Sequence, residues 1–198
     1  MTDYAVFLRG VNVGGITLKM AELRTAIGTL PVTRVATQLA SGNLTCSSDL
    51  TTQDLKDAVE TLLRSAFGYD AWVVILDAGR LRELVDACPF PADDPTTHTY
   101  ITLFSNPAAL TDLVEAIDKT VTSSKAVASN KAGSSDSEST AAFGDFRVLG
   151  PDAAAWLAPR GGTLDSPLNK ILGKPHFKNS STTRNLRTLH KVLGVLEQ

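Results

Sequence analysis

The sequence predicts an α+β protein with a ferredoxin-like N-terminal domain. Three observations carry this reading. Residues 1–79 alternate short apolar runs with amphipathic stripes in the order β-α-β-β-α-β, the split βαβ arrangement of a four-stranded antiparallel sheet covered by two helices. Residues 80–198 carry further β-α-β-β-α pieces, which fit a second, degenerate α/β sandwich with C-terminal helices. The 198 residues are 43% hydrophobic and 20% charged, enough apolar material for a sizeable core in one large domain or two small ones.

Each element has a local reason. Tyr4–Leu8 is a buried-strand run. Met20, Leu23, Ile27 and Leu30 recur at three- and four-residue steps, a helical stripe that Gly28 and Pro31 close. Val32–Leu39 alternates as a strand does, Ser41-Gly42-Asn43 is turn chemistry, and Leu44–Ser47 returns. Thr51 and Thr52 cap a helix with Leu55, Val59, Leu62, Leu63 and Phe67 on one side, and Gly68 stops it. Ala71–Leu76 is a strong strand. Beyond it, Arg80–Ala87 reads as a helix, His98–Phe104 as a strand, and Pro107 as a helix start. Lys125–Ala128 reads as a strand, and Ser129–Thr140, poor in apolar residues, as a loop or hairpin tip. Phe143–Leu149 reads as a strand, Asp152–Leu157 and Ser166–Leu172 as short helices, and Thr182–Leu196 as the last helix.

Bulk properties narrow the function classes. The net charge is −2, whereas a protein that holds a nucleic-acid backbone by charge alone is basic, so nucleic acid is disfavoured as a partner. Cys46 and Cys88 lack a CxxC spacing, and no metal-ligand spacing links them to His98, His176 or His190, so the expected metal is none. The N-terminus has no basic n-region or long h-region, and no run is long enough to span a bilayer. A cytoplasmic protein is the default expectation.

Three polar motifs stand at element ends. Arg9-Gly10-Val11-Asn12-Val13-Gly14-Gly15 links a strand to a helix. Backbone N–H groups there, with the helix N-terminus, suit an anion, and Arg9 suits a phosphate or carboxylate. It is neither a Walker loop nor a GxGxxG fingerprint. The structural alternative is a tight turn in which Gly14 and Gly15 supply positive φ. Ser41-Gly42-Asn43 is the second motif. Antiparallel pairing of strands 1 and 3 would bring the end of the first strand, with Arg9, near Asn43; the alternative is a plain hairpin turn. Thr182-Thr183-Arg184-Asn185 is the third. Read as a helix start, its threonines are N-caps and Arg184 opposes the macrodipole unless it has a partner. Trp72 and Trp156 read as core or domain-interface residues, and Asp93 and Asp94 as solvated loop residues.

As a set, RGVNVGG at 9–15, Met20 with Glu22-Leu23-Arg24, SGN at 41–43 and TTRN at 182–185 with Leu189 and Lys191 resemble a bacterial family, the domain-of-unknown-function family sixteen-ninety-seven. The resemblance runs from Tyr4 to about Leu193. It implies a ferredoxin-like part followed by a second α/β part, and no reaction. The chain departs from the family pattern at Leu186, where an aromatic is usual, at Asp165-Ser166-Pro167-Leu168, where Arg-Ser-Lys-Leu is usual, and at Ala40, where Gln is common.

The functional expectation is a small anionic or nucleotide-like ligand held by Arg9, Gly10, Asn12, Gly14, Gly15, Ser41, Gly42, Asn43, Thr183, Arg184 and Asn185. No cofactor is indicated. An enzyme using the same residues is the first alternative, but no nucleophile or general base is visible. A nucleic-acid-binding or protein-interaction module is the second. RNA-binding sheets of this topology stack bases on central aromatics, and Leu44–Ser47 has none.

Overall fold

A computed structural model describes residues 1–9, 18–38, 42–68, 72–128 and 145–198; of 123–128 and 164 only the backbone is described. Gly10, Asn12, Gly14, Gly15 and Ser41, and the loop expected at 129–140, lie outside the described residues. The element order is β1 (Thr2–Leu8), α1 (Met20–Ile27), β2 (Val32–Gln38), β3 (Asn43–Ser48), α2 (Thr52–Phe67), β4 (Val73–Asp77) and α3 (Ala78–Asp86). Then follow β5 (Thr97–Phe104), α4 (Pro107–Ala128), β6 (Phe146–Val148), β7 (Ala153–Pro159), a 3-10 turn (Thr163–Asp165), α5 (Pro167–Leu172), α6 (Pro175–Lys178), β8 (Ser181–Asn185) and α7 (Leu186–Leu196). The fold is α+β, with two four-stranded antiparallel sheets.

The chain divides into two compact units, residues 1–87 with 186–198, and residues 88–185. A boundary at 79/80 is therefore displaced, and the C-terminal helix belongs with the first unit. The reason is apolar burial. β1 is buried along both faces: Tyr4, Val6 and Leu8 pack with Leu23, Ile27, Leu55, Val59 and Leu63 of α1 and α2. Alternation sends Ala5 and Phe7, both fully buried, to the opposite face. α3 and α7 cover that face, contacting β1 and each other, through Leu81, Leu84, Leu189 and Val192. Arg82 of α3 also pairs with Glu197 after α7.

The first sheet has the order β2-β3-β1-β4, which is the ferredoxin-like order. Its helix ends follow the sequence signals. Thr51 Oγ1 accepts from Asp54 N at 3.1 Å, and Gly68 ends α2 at φ 60, a left-handed conformation that glycine adopts without strain.

The second sheet has the order β6-β7-β5-β8. Matching β5, β6, β7 and β8 to β1, β2, β3 and β4 gives the same order, so the second unit repeats the topology of the first. The match extends to single hydrogen bonds at the end of the first strand of each unit. Leu8 N donates to Gly42 O at 2.8 Å and Arg9 N to Trp72 O at 3.0 Å. In the second unit Phe104 N donates to Asp152 O at 2.8 Å and Ser105 N to Ser180 O at 2.8 Å. Trp156, stacked on Tyr100 at 4.9 Å, anchors the second core with Phe104, Leu110, Leu113 and Leu168.

Several sequence expectations for this half are corrected. Asp152–Leu157 is not a helix: Ala153–Pro159 is a central strand, paired with both β5 and β6. Lys125–Ala128 is the end of α4 rather than a strand. Thr182–Asn185 does not open the last helix; it lies in β8, and α7 starts at Leu186.

Candidate functional site

β1 carries Arg9 at its end because a run of buried apolar residues stops there. Phe7 pairs with Asn43 and Leu8 with Val73, so Arg9 continues the ladder between the start of β3 and the start of β4. The proximity expected of Arg9 and Asn43 is thus present in the backbone. Asn43 itself is fully buried, and its Nδ2 donates to Gln38 O at 2.9 Å, closing the β2–β3 connection. Gly42 has φ 72, so the turn requires its glycine. The described part of the SGN motif therefore has a structural role.

The TTRN residues alternate across β8. Thr183 pairs with Thr102 and their hydroxyls are 2.9 Å apart; Trp156 Nε1 donates to the same Thr102 Oγ1 at 3.0 Å. Asn185, opposite Tyr100, shares that face. Arg184 takes the other face, opposite Ile101. It is 9% exposed, and its Nη1 donates to Thr182 Oγ1 at 2.6 Å and to Thr183 O at 2.9 Å. The strand therefore separates Arg184 from Asn185, which a helix start would have kept on one end.

Other polar groups are also accounted for. Cys46 is buried in the core that α1 and α2 share, and burial, with the Asp3 charge as a smaller cause, pushes its thiol up to about 11. Burial raises the Cys88 thiol, partly offset by a hydrogen bond with the Phe90 backbone. Neither is an activated thiolate. Asp94 is not merely solvated. Its Oδ1 accepts from the hydroxyls and backbone N–H groups of Thr96 and Thr97 at 2.6–3.0 Å, which holds its carboxyl far below the usual range. Among the described residues no three His, Cys, Asp or Glu side chains gather as a metal site. Nor is any described helix long and apolar enough to cross a membrane.

Three features escaped the sequence. Trp72 is 46% exposed and so is not core. Arg34 has φ 53 at an irregularity in the β2–β3 pairing and lies 3.5 Å from Asp3, beside a cavity of about 240 Å³. A cavity of about 440 Å³ in the second unit is lined by Phe146, Trp156, Leu157, Pro159 and Leu168, with Asp145 and Asp165 among its polar residues. Exposure, a bulge and a cavity are tertiary properties with no local sequence signal.

Comparison with known proteins fits this architecture. The conserved bacterial protein SP0830 from Streptococcus pneumoniae is similar in structure, with a TM-score of 0.72, 18% identity and 98% of each chain covered. At that identity the likeness concerns the fold. Comparison with curated proteins gives no match. A family model described as "Protein of unknown function (DUF1697)" matches residues 1–132, a stretch that contains RGVNVGG and SGN but not TTRN. That match spans well over half of the chain, which belongs to this family of proteins of unknown function.

Proposed function

We propose that the chain binds a small anionic ligand through Arg9 and the glycine-bearing segment that follows it. One observation supports this most. The two units have the same strand order, yet they pass from first strand to first helix very differently. In the second unit two residues suffice, Ser105 and Asn106, with Asn106 Oδ1 accepting from Ala108 N at 2.9 Å. In the first unit the same step takes residues 9–19. Connections of this kind commonly need two to six residues. A fold that makes the turn in two has no need of Arg-Gly-Val-Asn-Val-Gly-Gly, and long connections on a rigid scaffold are where binding residues gather. Backbone N–H groups and a guanidinium are the chemistry that recognises phosphate or carboxylate.

Within this reading Gly42 and Asn43 fix the hairpin beside Arg9. The reading is of binding, and it names no reaction. Calorimetric titration with phosphates, sugar phosphates and carboxylates tests it. Arg9→Ala should weaken the tightest of them at least tenfold. Raising salt should weaken binding as well, because the contact is ionic. Binding that ignores Arg9→Ala would refute the reading.

A further inference from the structure

We infer that Trp72 is a stacking platform beside Arg9, and that the ligand is therefore a phosphate ester bearing a planar aromatic ring, such as a nucleoside phosphate. This rests on the anion-binding reading above. Leu8 pairs with Val73, so the next pair along the antiparallel ladder is Arg9 with Trp72, and Arg9 N donates to Trp72 O at 3.0 Å. Directly opposed residues share a face of the sheet, with Cβ atoms about 5 Å apart. A cationic group and an indole thus stand side by side at the end of the central strand. Trp72 is 46% exposed, although exposing so large an apolar ring is unfavourable.

The second unit closes the same ladder with other residues. In the second unit Phe104 pairs with Ser181, and Ser105 N donates to Ser180 O at 2.8 Å. The positions equivalent to Arg9 and Trp72 are therefore Ser105 and Ser180. The same ladder closes with two serines in one unit and with an arginine and a tryptophan in the other. An arginine beside an exposed indole suits a ligand with both a negative group and a π-face, since bases stack on aromatics without needing specific hydrogen bonds. The spacing also fits. A phosphate and its base lie a few ångströms apart through a ribose, the reach of two neighbouring long side chains.

The probes are ADP and inorganic pyrophosphate, titrated against wild type, Trp72→Ala, Trp72→Phe and Arg9→Ala. Fluorescence separates the two tryptophans: Trp156 is 2% exposed, so a quench on ADP addition that disappears in Trp72→Phe reports Trp72. The expected result is that ADP binds about ten times more tightly than pyrophosphate, that Trp72→Ala erases this difference while leaving pyrophosphate binding unchanged, and that Trp72→Phe keeps most of it. Equal binding of both probes, unchanged in Trp72→Ala, would overturn the stacking role and leave the anion site standing. Binding of neither probe would overturn the ligand class proposed here; the panel of carboxylates and sugar phosphates then decides the anion reading separately. Unliganded melting curves of the variants confirm that each is folded.

Discussion

At the scale of single residues, several polar groups have a clear use in the fold. Asn43 closes a hairpin, Thr183 joins a hydroxyl pair, and Asp94 collects the N–H and hydroxyl groups of Thr96 and Thr97. Asp94→Ala should therefore speed amide hydrogen exchange at Thr96 and Thr97; unchanged rates would deny it this role. Cys46 makes a pH prediction. Its thiol is held near 11 in the native state against an ordinary value of 9.0, so above pH 9 the unfolded chain loses a proton that the native chain keeps. With fewer protons on the unfolded state, stability falls as pH rises, by up to about 1.4 kcal/mol per unit between roughly pH 9 and 11. Urea unfolding at pH 8.5 and 10.5 should show a steeper loss for wild type than for Cys46→Ala. Equal losses would place the thiol's ionisation elsewhere. Arg34 offers another test. A non-glycine residue at φ 53 is strained, and its ion pair with Asp3 is largely exposed, 54% on the arginine side. Arg34→Gly should leave stability within about 1 kcal/mol of wild type; a loss well beyond that would mean the side chain stabilises the bulge.

At the scale of elements, the first half of the chain was legible because its signals are local. Period-2 and period-3.6 patterns, the Thr51 cap and the Gly68 stop all lie where the structure uses them. The second half was misread where tertiary pairing overrides propensity. Ala153-Ala154-Ala155-Trp156-Leu157-Ala158 has the composition of a helix, and no alternation marks it as a strand. It is a strand because β5 and β6 flank it and both of its faces are buried. Thr182 and Thr183 read locally as caps, yet β-branched residues also favour strands, and pairing with β5 decides for β8. The helix that follows is the other surprise. α7 lies on the outer face of the first sheet, which a simple ferredoxin-like domain leaves open. Leu189 is fully buried there, so Leu189→Ala should cost about 2–5 kcal/mol in urea unfolding. A cost below 1 kcal/mol would contradict the covering role. The same helix, with α3, occupies the face on which an RNA-binding sheet stacks its bases.

At the scale of the whole molecule, the chain is two units of one topology, the first completed by a helix from the far end of the sequence. No sequence repeat announces this, because the units share strand order and hydrogen-bond register rather than residues. Read side by side, the units supply an internal control. Both units close the end of the first strand with the same pair of backbone hydrogen bonds, and only the first places an arginine and an exposed tryptophan there.

The central claim, that Arg9 serves a ligand, is tested most directly by thermal unfolding of wild type and Arg9→Ala with a panel of phosphates, nucleotides, sugar phosphates and carboxylates. A compound at about a hundred times its Kd stabilises by roughly 2.7 kcal/mol. For a chain of this size, that raises Tm by about 2–4 °C per kcal/mol. The prediction is a clear rise in wild type, no rise in Arg9→Ala, and unliganded melting temperatures within about 2 °C of each other. No rise with any compound, together with a much lower melting temperature for unliganded Arg9→Ala, would make Arg9 a structural residue and contradict the account.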